Sequence, residues 1–212
     1  MASKDLKEGA LITFEGPEGS GKSTHVRLLC AYLKRQGLSV IHLREPGGTV
    51  ISEKIRRILL DTKNKAMNLT SEMLLYQAAR AQLVSEKILP ALKQNKVVVL
   101  DRYLDATICY QGYAGGLSIK LIKQIGRLTT SCIQPDLTIL LDINAERGLR
   151  KSGRRDRVEK KSLAFHRKVR GGYLELARKN PRRIKIVPLT WPIPRTQAAI
   201  RAIADKRWRL KR

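Results

Sequence analysis

Gly16-Pro17-Glu18-Gly19-Ser20-Gly21-Lys22-Ser23 is a complete G-x-x-x-x-G-K-S match, followed by Thr24. Residues of these types at this spacing hold a polyphosphate. The glycines let the backbone close around phosphate oxygens, and consecutive N–H groups and the start of a following helix point at the negative charge. Lys22 is spaced to reach the β- and γ-phosphates of a nucleoside triphosphate, and the Ser23 hydroxyl to ligate Mg²⁺. The motif says nothing about the group that receives a phosphoryl.

Further along, Asp101-Arg102-Tyr103 closes the apolar run Val97–Leu100. An acid at that place can hold Mg²⁺ through water, or cap the next helix. Arg102 can clamp a phosphate bidentately, or pair with Asp105 or Glu45. Tyr76 and Arg80 lie four apart on a helical stretch and share one face, which suits a base stacked on a ring beside a guanidinium, or plain core packing. Arg147, Arg150, Lys151, Arg154, Arg155 and Arg157 surround Gly153 in a highly charged segment. It reads as a mobile lid over about 147–158, which would exclude water and bring positive charge to a transferred group, or as an exposed linker. His25, His42 and His166 are scattered and form no metal cluster. Phosphoryl transfer to an anionic acceptor needs positioning and charge stabilisation more than a base.

These residues need rigid supports. Leu11–Phe14 reads as a buried strand before the phosphate loop, and Lys22–Gln36 as the helix after it, stopped near Gly37. Leu38–Leu43 is strand-like and leads into Arg44-Glu45-Pro46-Gly47-Gly48-Thr49. Helices are expected over Val50–Leu60 and over Thr70–Leu92, with a possible break at Pro90. A short helix from Asp105 to Tyr110 is expected to break at Gly112, Gly115 and Gly116, with helices following over Ser118–Thr130, Ala145–Arg150, Glu159–Lys179 and Arg195–Lys206. Strands Val97–Leu100, Leu137–Asp142 and Ile184–Val187 complete the alternation. The pattern predicts one α/β domain over residues 1–212, a three-layer sandwich with a five-stranded parallel sheet covered by helices, the P-loop type of fold. Residues 16–23, 44–49 and 101–107 all follow strands, at the edge where such sheets bind ligands.

At 212 residues the chain can bury a real core without staples. Cys30, Cys109 and Cys132 form no CxxC pair and are expected to be separate small hydrophobes in a reducing compartment. No apolar run is long enough to span a bilayer, and the N-terminal residues MASKDLKEG lack an apolar signal core, so a cytoplasmic protein is expected. The 43 basic and 18 acidic residues leave a formal charge of +25. Such an excess raises the question of nucleic-acid contact, but aromatics are only 5% and no zinc-finger or RNP-like run occurs. A generally basic surface, with a solvated tail over 206–212 and Trp208 anchoring it, is the simpler expectation. A basic ATP-dependent nucleic-acid-binding protein stands as the distant alternative.

Taken together, FEGPEGSGKST at 14–24, REPGGT at 44–49, EMLLYQAARAQ at 72–82, DRY at 101–103, YQGY at 110–113, PDLTILLD at 135–142 and DRVE at 156–159 resemble the thymidylate kinases of bacterial type. The resemblance runs from about residue 11 to 190. It implies transfer of a phosphoryl group from ATP to thymidine monophosphate, with Mg²⁺, by a cytosolic homodimer that needs no nucleic acid or membrane. Gly16, Pro17, Glu18, Gly19, Ser20, Gly21, Lys22, Ser23 and Thr24 would then bind ATP, and Ser23 and Asp101 would serve the metal. Tyr76 would stack on thymine, Arg80 would help fix the pyrimidine, and Arg44 and Arg102 would hold the monophosphate. Glu45 belongs to the same acceptor loop. Tyr110 would sit beside the deoxyribose with Gln111 as its neighbour, and Thr107 would contact the base. Ala106 stands where the family often has Ser, which leaves a kinase for another nucleoside monophosphate or nucleoside as the alternative. Lys22 and Arg102 would be catalytic. The catalytic arginine that some members carry in the phosphate loop is replaced by Glu18, which points to Arg154 or Arg155 of the lid, with Arg157 structural beside Asp156.

Overall fold

The computed structural model describes residues 8–153, 156–190 and 192–208. Five strands, β1 (Ala10–Glu15), β2 (Val40–Arg44), β3 (Val97–Asp101), β4 (Leu137–Asp142) and β5 (Ile184–Pro188), form one sheet in the order β2-β3-β1-β4-β5. All four pairings are parallel. β1 and β3 are buried along their whole length, as apolar runs covered on both faces must be.

Helices cover both faces. On one side α1 (Lys22–Arg35) and α9 (Ile193–Trp208) pack Val26, Leu29, Leu33, Ile200 and Ala204 against Ile12, Phe14, Val99 and Ile139, with Trp208 resting on the same cluster. On the other lie α2 (Val50–Leu60), α3 (Leu69–Leu83), α4 (Leu89–Lys93), α5 (Leu104–Thr107), α6 (Ile119–Thr129), α7 (Ala145–Ser152) and α8 (Leu163–Lys179). The N-terminal caps expected of Ser/Thr/Asn chemistry are present: Thr49, Asn68, Ser118, Asn144 and Ser162 each accept a backbone N–H of the first turn.

Three elements depart from the sequence expectations. The helix expected over 70–92 is α3 and α4 joined by a π-helical segment, Val84–Ile88. Pro90 has no N–H to offer the preceding turn, and widening that turn absorbs the mismatch without ending the helical path. Gly112 does not stop the helix after Asp105: a second π-helical segment, Ile108–Ala114, runs through it. A Cβ at Gly112 would press on Ile119 and Ile122, so that glycine serves close packing rather than a break. The helix expected from Glu159 starts only at Leu163, because Ser162 caps it and Asp156 folds the preceding residues into a turn by accepting the N–H groups of Val158 and Glu159. Cys30 and Cys109 are buried as expected, but Cys132 is exposed in a left-handed turn at φ 60°. Among the described residues no helix is long and apolar enough to cross a membrane.

Candidate active site

The C-terminal ends of β1, β2 and β3 open into one cavity of about 430 Å³. Its wall includes the phosphate loop from Glu18 to Thr24, then Arg44, Glu45 and Arg56, then Tyr76 and Arg80, then Asp101–Tyr103 and Ala106 to Gln111. Stretches separated by up to 93 positions in sequence thus meet at the strand ends. Arg56, on α2, was not singled out by motif. It donates to the Pro46 carbonyl at 2.7 Å and faces the cavity from the acceptor loop's side.

The phosphate loop is shaped by close backbone approach. Gly19 has φ 67°, and a Cβ there would collide with the Gly148 carbonyl. A Cβ at Gly148 would in turn meet the Glu18 carbonyl. The base of α7 is therefore seated backbone to backbone on the loop. Lys22 is buried and donates to the carbonyls of Gly16 and Pro17, at 3.1 and 2.9 Å, and to Ser20 Oγ at 3.3 Å. Burial first, and the neighbouring Arg102, push its ammonium down to about 8. The Ser23 hydroxyl donates to the Asp101 carboxylate at 2.7 Å. The two residues assigned to metal from sequence are in contact, and both offer the hard oxygen donors that suit Mg²⁺. Among the described residues no group of three or more His, Cys, Asp or Glu side chains could hold a metal by itself.

Glu18 belongs to the phosphate loop, yet its carboxylate is turned to the other side of the cavity. It accepts from Arg102 Nη2 and from the Tyr110 hydroxyl, both at 2.7 Å. Burial would raise its acid pKa, but Arg102 and Lys22 outweigh that and hold it at about 2. The Glu18 backbone thus belongs to the phosphate loop, while its carboxylate is engaged by Arg102 and Tyr110. Arg102 lies 5.0 Å from the Tyr110 ring centroid and donates to the Tyr173 hydroxyl at 3.3 Å. Neither Asp105 nor Glu45 is its partner. Asp105 is held by Arg183 at 2.6 Å, and Glu45 by Arg80 at 2.8 Å.

Arg80 is 2% exposed. It binds Glu45, the Gln77 side-chain oxygen, the Tyr103 carbonyl and the Thr107 hydroxyl, at 2.8 to 3.1 Å. Its guanidinium is thus a bracket that ties the 44–49 loop to Gln77, Tyr103 and Thr107. Tyr76, one turn earlier on α3, is half-buried and faces the cavity. Arg44 is the most open of the group, at 46% side-chain exposure, and is paired with Glu53 at 2.9 Å. Gln111 is buried and donates to Glu72 at 2.7 Å. Glu72 also pairs with Arg157 and Lys161, at 2.6 and 3.0 Å. Arg157, expected beside Asp156, is held instead by Glu72 and by the Leu59 carbonyl, to which it donates at 2.9 Å. The segment expected to form a lid is helical up to Ser152, two residues beyond Arg150. Arg154 and Arg155 lie outside the described residues.

The thymidylate kinase family model matches residues 14–200. The chain is 46% identical over 197 residues to the thymidylate kinase of Symbiobacterium thermophilum, covering 92% of both chains. It is 48% identical to that of Geotalea uraniireducens, covering 92% of this chain and 95% of the relative. The crystal structure of thymidylate kinase from Ehrlichia chaffeensis superposes with a TM-score of 0.78 at 32% identity, over 93% of this chain and 99% of that one.

Proposed function

The chain belongs to the thymidylate kinase family, and on that premise we propose that it transfers the γ-phosphoryl group of ATP to thymidine monophosphate, giving the diphosphate. The observation that carries the reading is one cavity lined both by Lys22 and Ser23 of the phosphate loop with Asp101 and by the cations Arg44 and Arg102. A donor nucleotide and an acceptor nucleotide can meet there phosphate to phosphate.

The donor triphosphate lies along Gly16 to Thr24, with its phosphate oxygens on the loop N–H groups. Lys22 exchanges its contacts to the Gly16 and Pro17 carbonyls for β- and γ-oxygens. Mg²⁺ beside Ser23 and Asp101 would screen the charge of those oxygens. The acceptor base lies against Tyr76, with Thr107 held ready by Arg80. Arg44 and Arg102 hold the acceptor phosphate in line. Tyr110 and Gln111 close the sugar side. Arg154 and Arg155 of the lid, over about 147–158, supply the remaining positive charge when it closes over the transferred group.

The same reading takes the protein as a homodimer. Val50, Ile51 and Ile58 of α2, Leu74 of α3, and Leu121 and Leu128 of α6 are exposed, and α2, α3 and α6 pack side by side. Exposed apolar side chains on neighbouring helices suit contact with a second copy of the chain.

A crystal structure with thymidine monophosphate and a non-hydrolysable ATP analogue tests the site assignment. The base is expected against Tyr76 and the monophosphate between Arg44 and Arg102. A base bound away from α3, with both arginines turned from the ligand, overturns it.

A further inference from the structure

Glu15, the last residue of β1, has no part in the transfer described above. It is 1% exposed, yet both of its oxygens are engaged. One accepts the Tyr103 N–H at 2.7 Å and the other the Tyr173 hydroxyl at 2.8 Å. Arg102 stands between these partners. Tyr103 follows it in the chain, and the Tyr173 oxygen accepts from Arg102 Nη1 at 3.3 Å.

The backbone of Arg102 is left-handed, with φ 68°. For a residue with a Cβ this conformation costs about 1–2 kcal/mol and persists only where the surroundings enforce it. Two successive bonds from β1 do so. Arg102 N–H donates to the Phe14 carbonyl at 2.9 Å, and Tyr103 N–H to the Glu15 carboxylate. The turn sends the Arg102 side chain across the cavity to Glu18 instead of along the strand direction.

We infer that Glu15 is a positioning residue for Arg102: by gripping the Tyr103 N–H and the Tyr173 hydroxyl it holds the left-handed turn and aims the guanidinium at the acceptor phosphate. The inference rests on the reading of Arg102 as an acceptor clamp. Two further features support it. Burial and the nearby Asp105, only partly offset by Arg102, push the Glu15 carboxyl up to about 8, so a neutral amide would be easier to bury at this place. In addition, in the ionised form that prevails above pH 8 both Glu15 contacts are accepted ones, which an amide cannot reproduce. Its single oxygen serves Tyr103, its NH2 group must then donate to the Tyr173 oxygen, and that donation competes with Arg102.

Steady-state kinetics of Glu15→Gln and Tyr173→Phe at about pH 9, where Glu15 is mostly ionised, with thermal unfolding of each, test the inference. Glu15→Gln is expected to raise the acceptor KM roughly tenfold or more, to leave the ATP KM within about twofold, and to unfold no earlier than the wild type. Tyr173→Phe moves the acceptor KM in the same direction, and the double variant is no worse than Glu15→Gln because the two act on one arginine. An unchanged acceptor KM in Glu15→Gln, or both KM values rising together with a lower unfolding temperature, overturns the inference. If Glu15→Gln does not fold, Tyr173→Phe decides by the same split between the two nucleotides. Arg102→Ala is the separate control: wild-type acceptor kinetics in that variant would remove the acceptor-clamp reading itself, whatever Glu15→Gln does.

Discussion

The Glu18 carboxylate meets the Arg102 guanidinium at 2.7 Å and so ties the phosphate loop to the end of β3 across the site. The pair is mostly shielded, with 15% and 17% of the side chains exposed. Removing the acid leaves a largely buried cation without its partner. Glu18 is held at about 2, below its ordinary 4.5, and each unit of such a difference is worth about 1.4 kcal/mol. Glu18→Gln is therefore expected to destabilise the fold by roughly 3 kcal/mol at neutral pH. Because the native pKa is depressed, that contribution is complete above pH 4.5 and fades as the pH falls toward 2. Urea unfolding of both proteins from pH 7 downward measures it. A stability gap that stays constant below pH 4.5 contradicts the assignment.

Lys22 gives a proton-linked signal. Burial and the neighbouring Arg102 hold its ammonium at about 8, below the ordinary 10.5, so above pH 8 much of it is neutral. A triphosphate in the loop favours the charged form. Binding of ATP near pH 8.5 is expected to take up a fraction of a proton, read by calorimetry in buffers of different ionisation enthalpy. Lys22→Met removes that uptake, and Lys22→Ala lowers turnover by about 100-fold or more.

Arg80 and Tyr76 share a helix face but should respond differently to substitution. Arg80→Ala leaves Glu45 buried without its cation and is expected to cost about 3–5 kcal/mol of stability as well as acceptor affinity. Tyr76→Ala removes a cavity-facing ring. It should raise the acceptor KM while the unfolding temperature changes little. Thermal unfolding beside kinetics separates the two, and wild-type acceptor kinetics in Arg80→Ala would show that the acceptor site has been misplaced.

The exposed apolar side chains of α2, α3 and α6 make the assembly testable. Leu74→Glu or Leu128→Glu, each at a side chain about half exposed or more, should convert a dimer into a monomer in size-exclusion chromatography with light scattering. A wild-type protein that runs as a monomer at all concentrations contradicts the proposed homodimer.

Much of this architecture was legible in the residues. The phosphate loop, the strand that feeds it and the helix that leaves it follow from glycine spacing beside an apolar run. β4 runs over Leu137–Asp142 and α2 over Val50–Leu60, where the sequence places them. The carboxylate partners were not legible. Which acid meets Arg102 or Arg80 depends on how loops stack at the strand ends, and both Glu18 and Glu45 are near in space. Glu15 read only as the end of a strand, because its partner Tyr173 lies 158 positions away on a helix whose pattern looks like ordinary core. The π-helical turn at Val84–Ile88 is a local answer to Pro90 that a period-based reading sees only as a possible break.

The most direct measurement of the central claim is ATP turnover with a panel of acceptors and chemical identification of the product. With thymidine monophosphate the account predicts thymidine diphosphate formed in step with ADP, and much less product with dUMP, dCMP, AMP or GMP. Equal use of all acceptors, or ATP hydrolysis without thymidine diphosphate, would contradict it.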